Sequence, residues 1–289
     1  MRVYVKAPTL SMSLTRVQAM LERYAPTTVQ FVNNILDADL VVVHAIGFHD
    51  VKEYIKDIVD HGQKYVIVQY CFRSTAGNAL DWLPMWEDAQ LVWSYYDLPA
   101  ALAADSKGKK SADFHFYESP LGADGDVFKP SPRRRHYLIA TSGYVAETEG
   151  VNECAAAAQR INRPMFHLGP EMNLKGVTCS LGVNDVTLAR MYSECEFVAG
   201  LRRCEGFELP AAEGLLCGCR PIVFDAPHYR KWYADFAEFV PEGTFDVTTD
   251  ALEAVFRAGA RPVTPDERAH AVEFFNWQTI VTRFWERAL

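Results

Sequence analysis

The chain has 289 residues, of which 49% are apolar and 23% charged, and a formal net charge of −8. That length suits two domains of roughly 150 residues or one large one, and it buries a core without help from disulfides or metal. The acidic balance excludes broad non-specific nucleic-acid binding, which needs a cationic surface to release counterions; the short basic runs at 107–110 and 133–135 read as solvated loops.

In chain order, residues 2–6 alternate like a strand, and a helical pattern follows through Val17, Met20 and Leu21. Residues 38–44 form a continuous β-branched run of the kind buried in a parallel sheet. A helix around 51–60 leads into a further strand at 65–70. This alternation implies βαβ units with helices on both faces of a parallel sheet. Pro120, Gly122, Gly125, Pro130 and Pro132 then punctuate the chain and read as an inter-lobe linker. The pattern restarts with strands expected at 136–140, 164–168, 197–201 and 221–224, and helices at 188–194 and 210–217. The expectation is an α/β chain of two Rossmann-like, doubly wound lobes with the ligand at the carboxyl ends of the strands.

The start, MRVYVKAPTL, lacks the apolar core of a signal peptide, and no apolar run approaches the ~20 residues of a membrane span. Seven cysteines without a C-x-x-C pair read as reduced, buried thiols of a cytoplasmic protein. Two D-x-D triplets, Asp37-Ala38-Asp39 and Asp124-Gly125-Asp126, precede a buried strand and sit in the linker respectively, and neither reads as a metal site.

The most informative stretch is Cys204-Glu205-Gly206-Phe207-Glu208-Leu209-Pro210-Ala211-Ala212-Glu213, continued by Cys217-Gly218-Cys219-Arg220-Pro221-Ile222-Val223. A strand ends near Leu201, a glycine-containing loop follows, and a helix starts at Pro210, where the missing N–H costs nothing. Free amides at such a helix start attract a phosphate or a sugar oxygen. Glu205 and Glu213 stand eight residues apart, a spacing that lets both carboxylates serve one pocket, and carboxylates suit sugar hydroxyls. The alternative is a pair of surface glutamates flanking a helix.

This stretch resembles the donor-site signature of the retaining GT-B glycosyltransferases of family 4, also called glycosyl transferases group 1. Residues 121–130 resemble that family's linker, residues 186–192 the helix before the signature, and Phe275-Asn276-Trp277 its closing F-x-W segment. The resemblance covers the second lobe almost entirely and the first in outline. It implies a GT-B fold with lobes at 1–131 and 132–272 facing across a cleft, and a last helix, 273–289, crossing back to the first lobe. It also implies a UDP- or GDP-sugar as donor substrate, no metal or other cofactor, and retention of configuration. Carried over by position, Glu213 holds the donor ribose and Glu205 the transferred sugar. The amides of Gly206, Phe207, Glu208 and Leu209 lie near the sugar and diphosphate.

The family usually opens its second lobe with Gly-Arg and, five residues on, Lys-Gly. Gly143 and Gly150 fit that pattern, but Tyr144 takes the Arg position and Glu149 the Lys position. A carboxylate there opposes a diphosphate by ~1 to 4 kcal/mol at 4 Å, depending on screening. Three explanations stand: other cations serve, with Arg202 and Arg203 the nearest; the phosphates are shifted; or the chain binds without catalysing. Of the two arginines Arg203 has the better claim, because some family members carry a basic residue there, whereas Arg202 takes a position usually held by serine. In the first lobe, Ser11 and Ser13 bond a ligand or cap a helix, and His44 and Arg73, after buried strands, are either ligand contacts or structural.

The acceptor is a small molecule, a glycan or, through aromatics such as Trp82, Trp86, Tyr95 and Tyr96 and the basic runs, a hydroxymethylated DNA base. A non-catalytic sugar-nucleotide binding module is the rival reading.

Overall fold

Short, strongly apolar runs build two all-parallel sheets. The computed structural model describes residues 1–5, 12–71, 78–132, 135–144, 148–203 and 206–289. These fall into two units: residues 1–121 with 206–207 and 277–289, and residues 122–203 with 208–276.

In the first unit the strands are β1 (Arg2–Val5), β2 (Gln30–Phe31), β3 (Leu40–Ala45), β4 (Lys64–Gln69), β5 (Val92–Ser94) and β6 (Phe116–Glu118). They pair in the order β2-β1-β3-β4-β5-β6. All six residues of β3 are buried, as its unbroken Val-Val-Val run requires of a strand covered on both faces. The covering helices are α1 (Met12–Arg23), α2 (Phe48–Asp60), α3 (Ala79–Asp88) and α4 (Leu98–Asp105). α2 buries Val51, Ile55 and Ile58, the i, i+4, i+7 stripe of an amphipathic helix. α3 starts at a capping box between Asn78 and Asp81 and buries Trp82 and Trp86 one turn apart. The final helix of the chain, α11 (Trp277–Ala288), belongs to this unit. Its buried face includes Ile280, Phe284 and Trp285; Trp285 donates to the Leu21 carbonyl (3.0 Å), and the Tyr117 hydroxyl donates to the Ile280 carbonyl (3.0 Å).

The second unit carries β7 (Tyr137–Ser142), β8 (Met165–Leu168), β9 (Val177–Ser180), β10 (Cys195–Gly200), β11 (Arg220–Phe224) and β12 (Glu238–Val240), ordered β12-β11-β10-β7-β8-β9. Counted within the unit this is the 3-2-1-4-5-6 order of dinucleotide-binding folds. Its helices are α5 (Val151–Arg160), α6 (Asp185–Ser193), α7 (Leu209–Leu216), α8 (Pro227–Tyr233), α9 (Phe245–Ala258) and α10 (Pro265–Phe274). α7 lies close on β10: a Cβ at Gly214 would come 2.6 Å from Val198 Cγ1, so no side chain fits there. Arg220 is fully buried, and Glu267 together with the Phe236, Arg261 and Pro262 carbonyls accepts its donors.

Chain order reverses between β1 and β3 in the first sheet and between β7 and β10 in the second. Ligands of open parallel sheets bind outside the carboxyl ends of strands at such switch points. Among the described residues no helix is long and apolar enough to cross a membrane, and no group of three or more acidic, His or Cys side chains is placed to hold a metal ion. The six described cysteines are free thiols.

Candidate functional site

At the switch point of the second unit, β7 runs out into Ser142-Gly143 and the neighbouring β10 into Leu201-Arg202-Arg203, so the two turns emerge side by side. Arg202 sits at the centre. Its Nε lies 3.2 Å from Glu149 Oε1, its Nη1 3.7 Å from Glu208 Oε2, and its Nη2 3.5 Å from the carbonyl and hydroxyl oxygens of Ser142. The side chains of Arg202 and Glu149 keep 19% and 15% exposure, whereas that of Glu208 keeps 1%.

Glu208 is the N-cap residue of α7, so its carboxylate lies at the positive end of that helix. The Arg202 backbone N–H donates to its Oε1 (3.2 Å), the Tyr229 hydroxyl donates to the Arg202 carbonyl (2.9 Å), and the Tyr233 hydroxyl donates to the Glu208 carbonyl (2.7 Å). Arg203 is held differently. It pairs with Glu153 of α5 (2.8 Å), whose side chain is 5% exposed, and its guanidinium lies 5.1 Å from the Phe224 ring centre. Two arginines therefore face three carboxylates, those of Glu149, Glu153 and Glu208.

The backbone is packed tightly here. Gly150, the N-cap residue of α5, has φ +65°, and a Cβ on it would come 2.5 Å from Leu201 Cβ; both facts demand glycine. A Cβ at Gly143 would fall 1.9 Å from Glu149 Oε2, so the Glu149 carboxylate rests on the Gly143 backbone. Tyr144, next in the chain, is exposed. Glu213, inside α7, is 2% exposed and so is no surface glutamate; Leu209, the first residue of that helix, is also buried.

Two features escaped the sequence reading. His167 of β8 is buried with its Nδ1 2.9 Å from Thr141 Oγ1, and burial lowers its pKa. A cavity of about 390 Å³ opens at the ends of β8 and β9, lined by Gly169, Glu171, Met172, Cys179, Ser180 and Leu181. That volume falls within the range of small-molecule sites, and none of its lining residues carries a motif.

In the first unit, His44 lies near the carboxyl end of β3, buried, with Nδ1 2.8 Å from the Tyr70 hydroxyl and the two rings stacked at 5.8 Å. Burial pushes its imidazole down to about 4, so it is neutral at pH 7. Tyr70 touches Tyr95, and Tyr95 touches Phe207 (ring centres 5.8 Å apart). A Cβ on Gly206 would come 2.5 Å from the Tyr96 ring, so glycine alone fits there. Trp82 and Trp86 are core side chains of α3. Glu205, Ser11 and Arg73, and the side chain of Ser13, lie outside the described residues.

No protein-family model matches the chain. A relative described as MMP α-(1→4)-mannosyltransferase, from Mycolicibacterium hassiacum, is 26% identical over 188 residues. The match covers 57% of this chain and 46%, less than half, of that protein. Among solved structures, sucrose-phosphate synthase from Thermosynechococcus elongatus superposes with a TM-score of 0.68 at 15% identity, over 97% of this chain and 79% of that one. The Anabaena protein HepE, solved in complex with UDP, gives 0.69 at 12% identity over 99% and 98%. At these identities the likeness establishes the fold: the chain has the GT-B architecture of two Rossmann-like lobes.

Proposed function

We propose that the chain is a retaining glycosyltransferase that moves a sugar from a nucleoside-diphosphate-sugar to an acceptor hydroxyl without a metal ion. One observation carries this reading. At the switch point of the second lobe, the Gly143 turn, the start of α7, buried Glu208 and the largely sheltered Arg202 meet, with buried Glu213 one turn further along α7, an arrangement suited to a polar, anionic nucleotide. The fold shared with HepE, solved with UDP, and the match to a mannosyltransferase support it.

In this account residues 132–272 take the donor and residues 1–131, with the last helix, serve the acceptor. Glu213 accepts hydrogen bonds from the ribose and Glu205 from the transferred sugar. Amides of Gly206, Phe207, Glu208 and Leu209 serve the sugar and diphosphate, Gly143 and Tyr144 flank the phosphates, and His44 contacts a ligand oxygen. The bond from the anomeric carbon to the phosphate oxygen breaks, and its electron pair leaves with the nucleoside diphosphate. The acceptor oxygen then attacks the oxocarbenium-like sugar on the same face and passes its proton to the departing phosphate. Charge developing on that phosphate is met by α7's amides and by a cation. We assign that cation to Arg202 rather than Arg203, because Arg202 Nη2 lies 3.5 Å from the Ser142 oxygens beside the Gly143 turn, whereas Arg203 pairs with Glu153 of α5 and lies over the Phe224 ring. The free thiols support a reducing, cytoplasmic setting.

A second reading, a binding module that turns nothing over, draws on the same charges: both arginines are already matched by carboxylates. Incubation with UDP- and GDP-sugars, with and without candidate acceptors, separates the two. Release of nucleoside diphosphate together with a glycosylated product supports the enzyme. Saturable donor binding with neither release nor transfer supports the module.

A further inference from the structure

We propose that Tyr70 is a positioning residue: its hydroxyl donates to His44 Nδ1 and fixes the imidazole as the Nε2–H tautomer, a neutral hydrogen-bond donor near the carboxyl end of β3. The role of that donor rests on the reading of His44 as a ligand contact; the tautomer itself does not.

The Tyr70 backbone N–H donates to the Ala45 carbonyl (3.0 Å), which fixes the end of β4 beside the end of β3 and places the Tyr70 hydroxyl 2.8 Å from His44 Nδ1. The rings lie nearly parallel, 11° apart, and both residues are buried. His44 Nε2 is buried with no hydrogen-bond partner among the described residues. Either way round, one donor and one acceptor are left over: Nε2–H and a hydroxyl lone pair if the hydroxyl donates, the tyrosine O–H and the Nε2 lone pair if Nδ1–H donates. A phenol O–H is a stronger acid than an imidazole N–H, and an imidazole nitrogen a stronger base than a phenol oxygen. Donation by the hydroxyl therefore makes the stronger bond and leaves the weaker donor and the weaker acceptor unpaired. An imidazolium would likewise strand the tyrosine proton, and burial already opposes it.

The remaining N–H defines what His44 can do. It donates to an oxygen, a hydroxyl or a phosphate oxygen, at the switch point of the first sheet, and it is not set up to remove a proton there. Tyr70 thus acts on a ligand only through His44.

Nitrogen-15 spectra of the labelled 289-residue chain at neutral pH test this without any ligand. The His44 signals are those lost in His44→Gln. The expected pattern has a protonated Nε2 and an unprotonated Nδ1, and in Tyr70→Phe both nitrogen shifts move toward a mixture of tautomers while thermal melting shows a folded protein. A protonated Nδ1, an imidazolium, or nitrogen shifts unmoved by Tyr70→Phe in a folded variant would overturn the proposal. Should Tyr70→Phe not fold, the wild-type spectrum alone decides. Absence of sugar transfer from every donor would sink the functional reading and leave these spectra as expected, so the two failures are distinguishable.

Discussion

Removing the charge of Glu149 is the most informative perturbation of the donor site. Its carboxylate rests on the Gly143 backbone, where the diphosphate is proposed to lie, and its Oε1 is 3.2 Å from Arg202 Nε. A phosphate about 4 Å from this carboxylate is repelled by ~1 kcal/mol per charge pair in water-like surroundings and ~4 kcal/mol at an effective dielectric of about 20. The Glu149 side chain keeps 15% exposure, so partial screening places the effect toward the lower end. Glu149→Gln is therefore expected to tighten binding of UDP or GDP, and of inorganic pyrophosphate, by about tenfold, roughly 1.4 kcal/mol. Calorimetric titration measures this directly, with the unphosphorylated nucleoside as a control that does not change. The gain shrinks at high salt. Unaltered or weaker pyrophosphate affinity in a folded Glu149→Gln protein would show that the diphosphate does not lie beside Gly143.

The remaining predictions concern charge, metal and pH. Arg202→Ala is expected to lower turnover by about a hundredfold or more, whereas Arg203→Ala, which strands the nearly buried Glu153, costs ~2 kcal/mol of stability with a smaller kinetic effect; steady-state kinetics and chemical denaturation of both variants decide. Turnover is expected to survive EDTA, and complete loss with rescue by magnesium or manganese would overturn the metal-independent mechanism. Because His44 is held near 4 in the folded chain against 6.5 unfolded, the unfolded state binds more protons between those values. Stability should therefore fall as pH drops from about 6.5 to about 4, by up to ~3 kcal/mol from this residue. His44→Gln flattens that limb of a stability–pH curve, and an unchanged limb would contradict the burial argument.

Much of the fold is legible in particular residues. The Val41-Val42-Val43 run reads as a buried parallel strand and is one, and the Pro210 start of α7 stands within a residue of its place. β2, β5, β6 and β12, with two or three residues each, are too short for periodicity to register. β9 has four residues but no buried one in its pattern, since it lies at the sheet edge. α3 was hidden by Pro84 within it, although Asn78 and Asp81 spell a capping box.

The partnerships among the candidate site residues are not written in the sequence. That Arg203 belongs to Glu153, fifty positions earlier, depends on α5 lying beside the end of β10, which no local pattern encodes. The same holds for Tyr70 and His44, which become neighbours through the pairing of β3 with β4. Glu149 looks like a defect in a phosphate site when read alone, and the structure shows it as half of an ion pair with Arg202.

The central claim, that the second lobe holds a nucleoside diphosphate through its switch point, is tested most directly by titrating UDP, GDP and ADP into the wild-type chain and into Glu213→Gln. Glu213 is buried within α7 and is the residue assigned to the ribose. The account predicts saturable binding of at least one of these nucleotides. It also predicts a loss of ~1.5 to 3 kcal/mol, about ten- to more than a hundredfold, in a Glu213→Gln protein that melts near the wild-type temperature. Wild-type protein that binds none of the three, or a folded Glu213→Gln protein with full affinity, would contradict it.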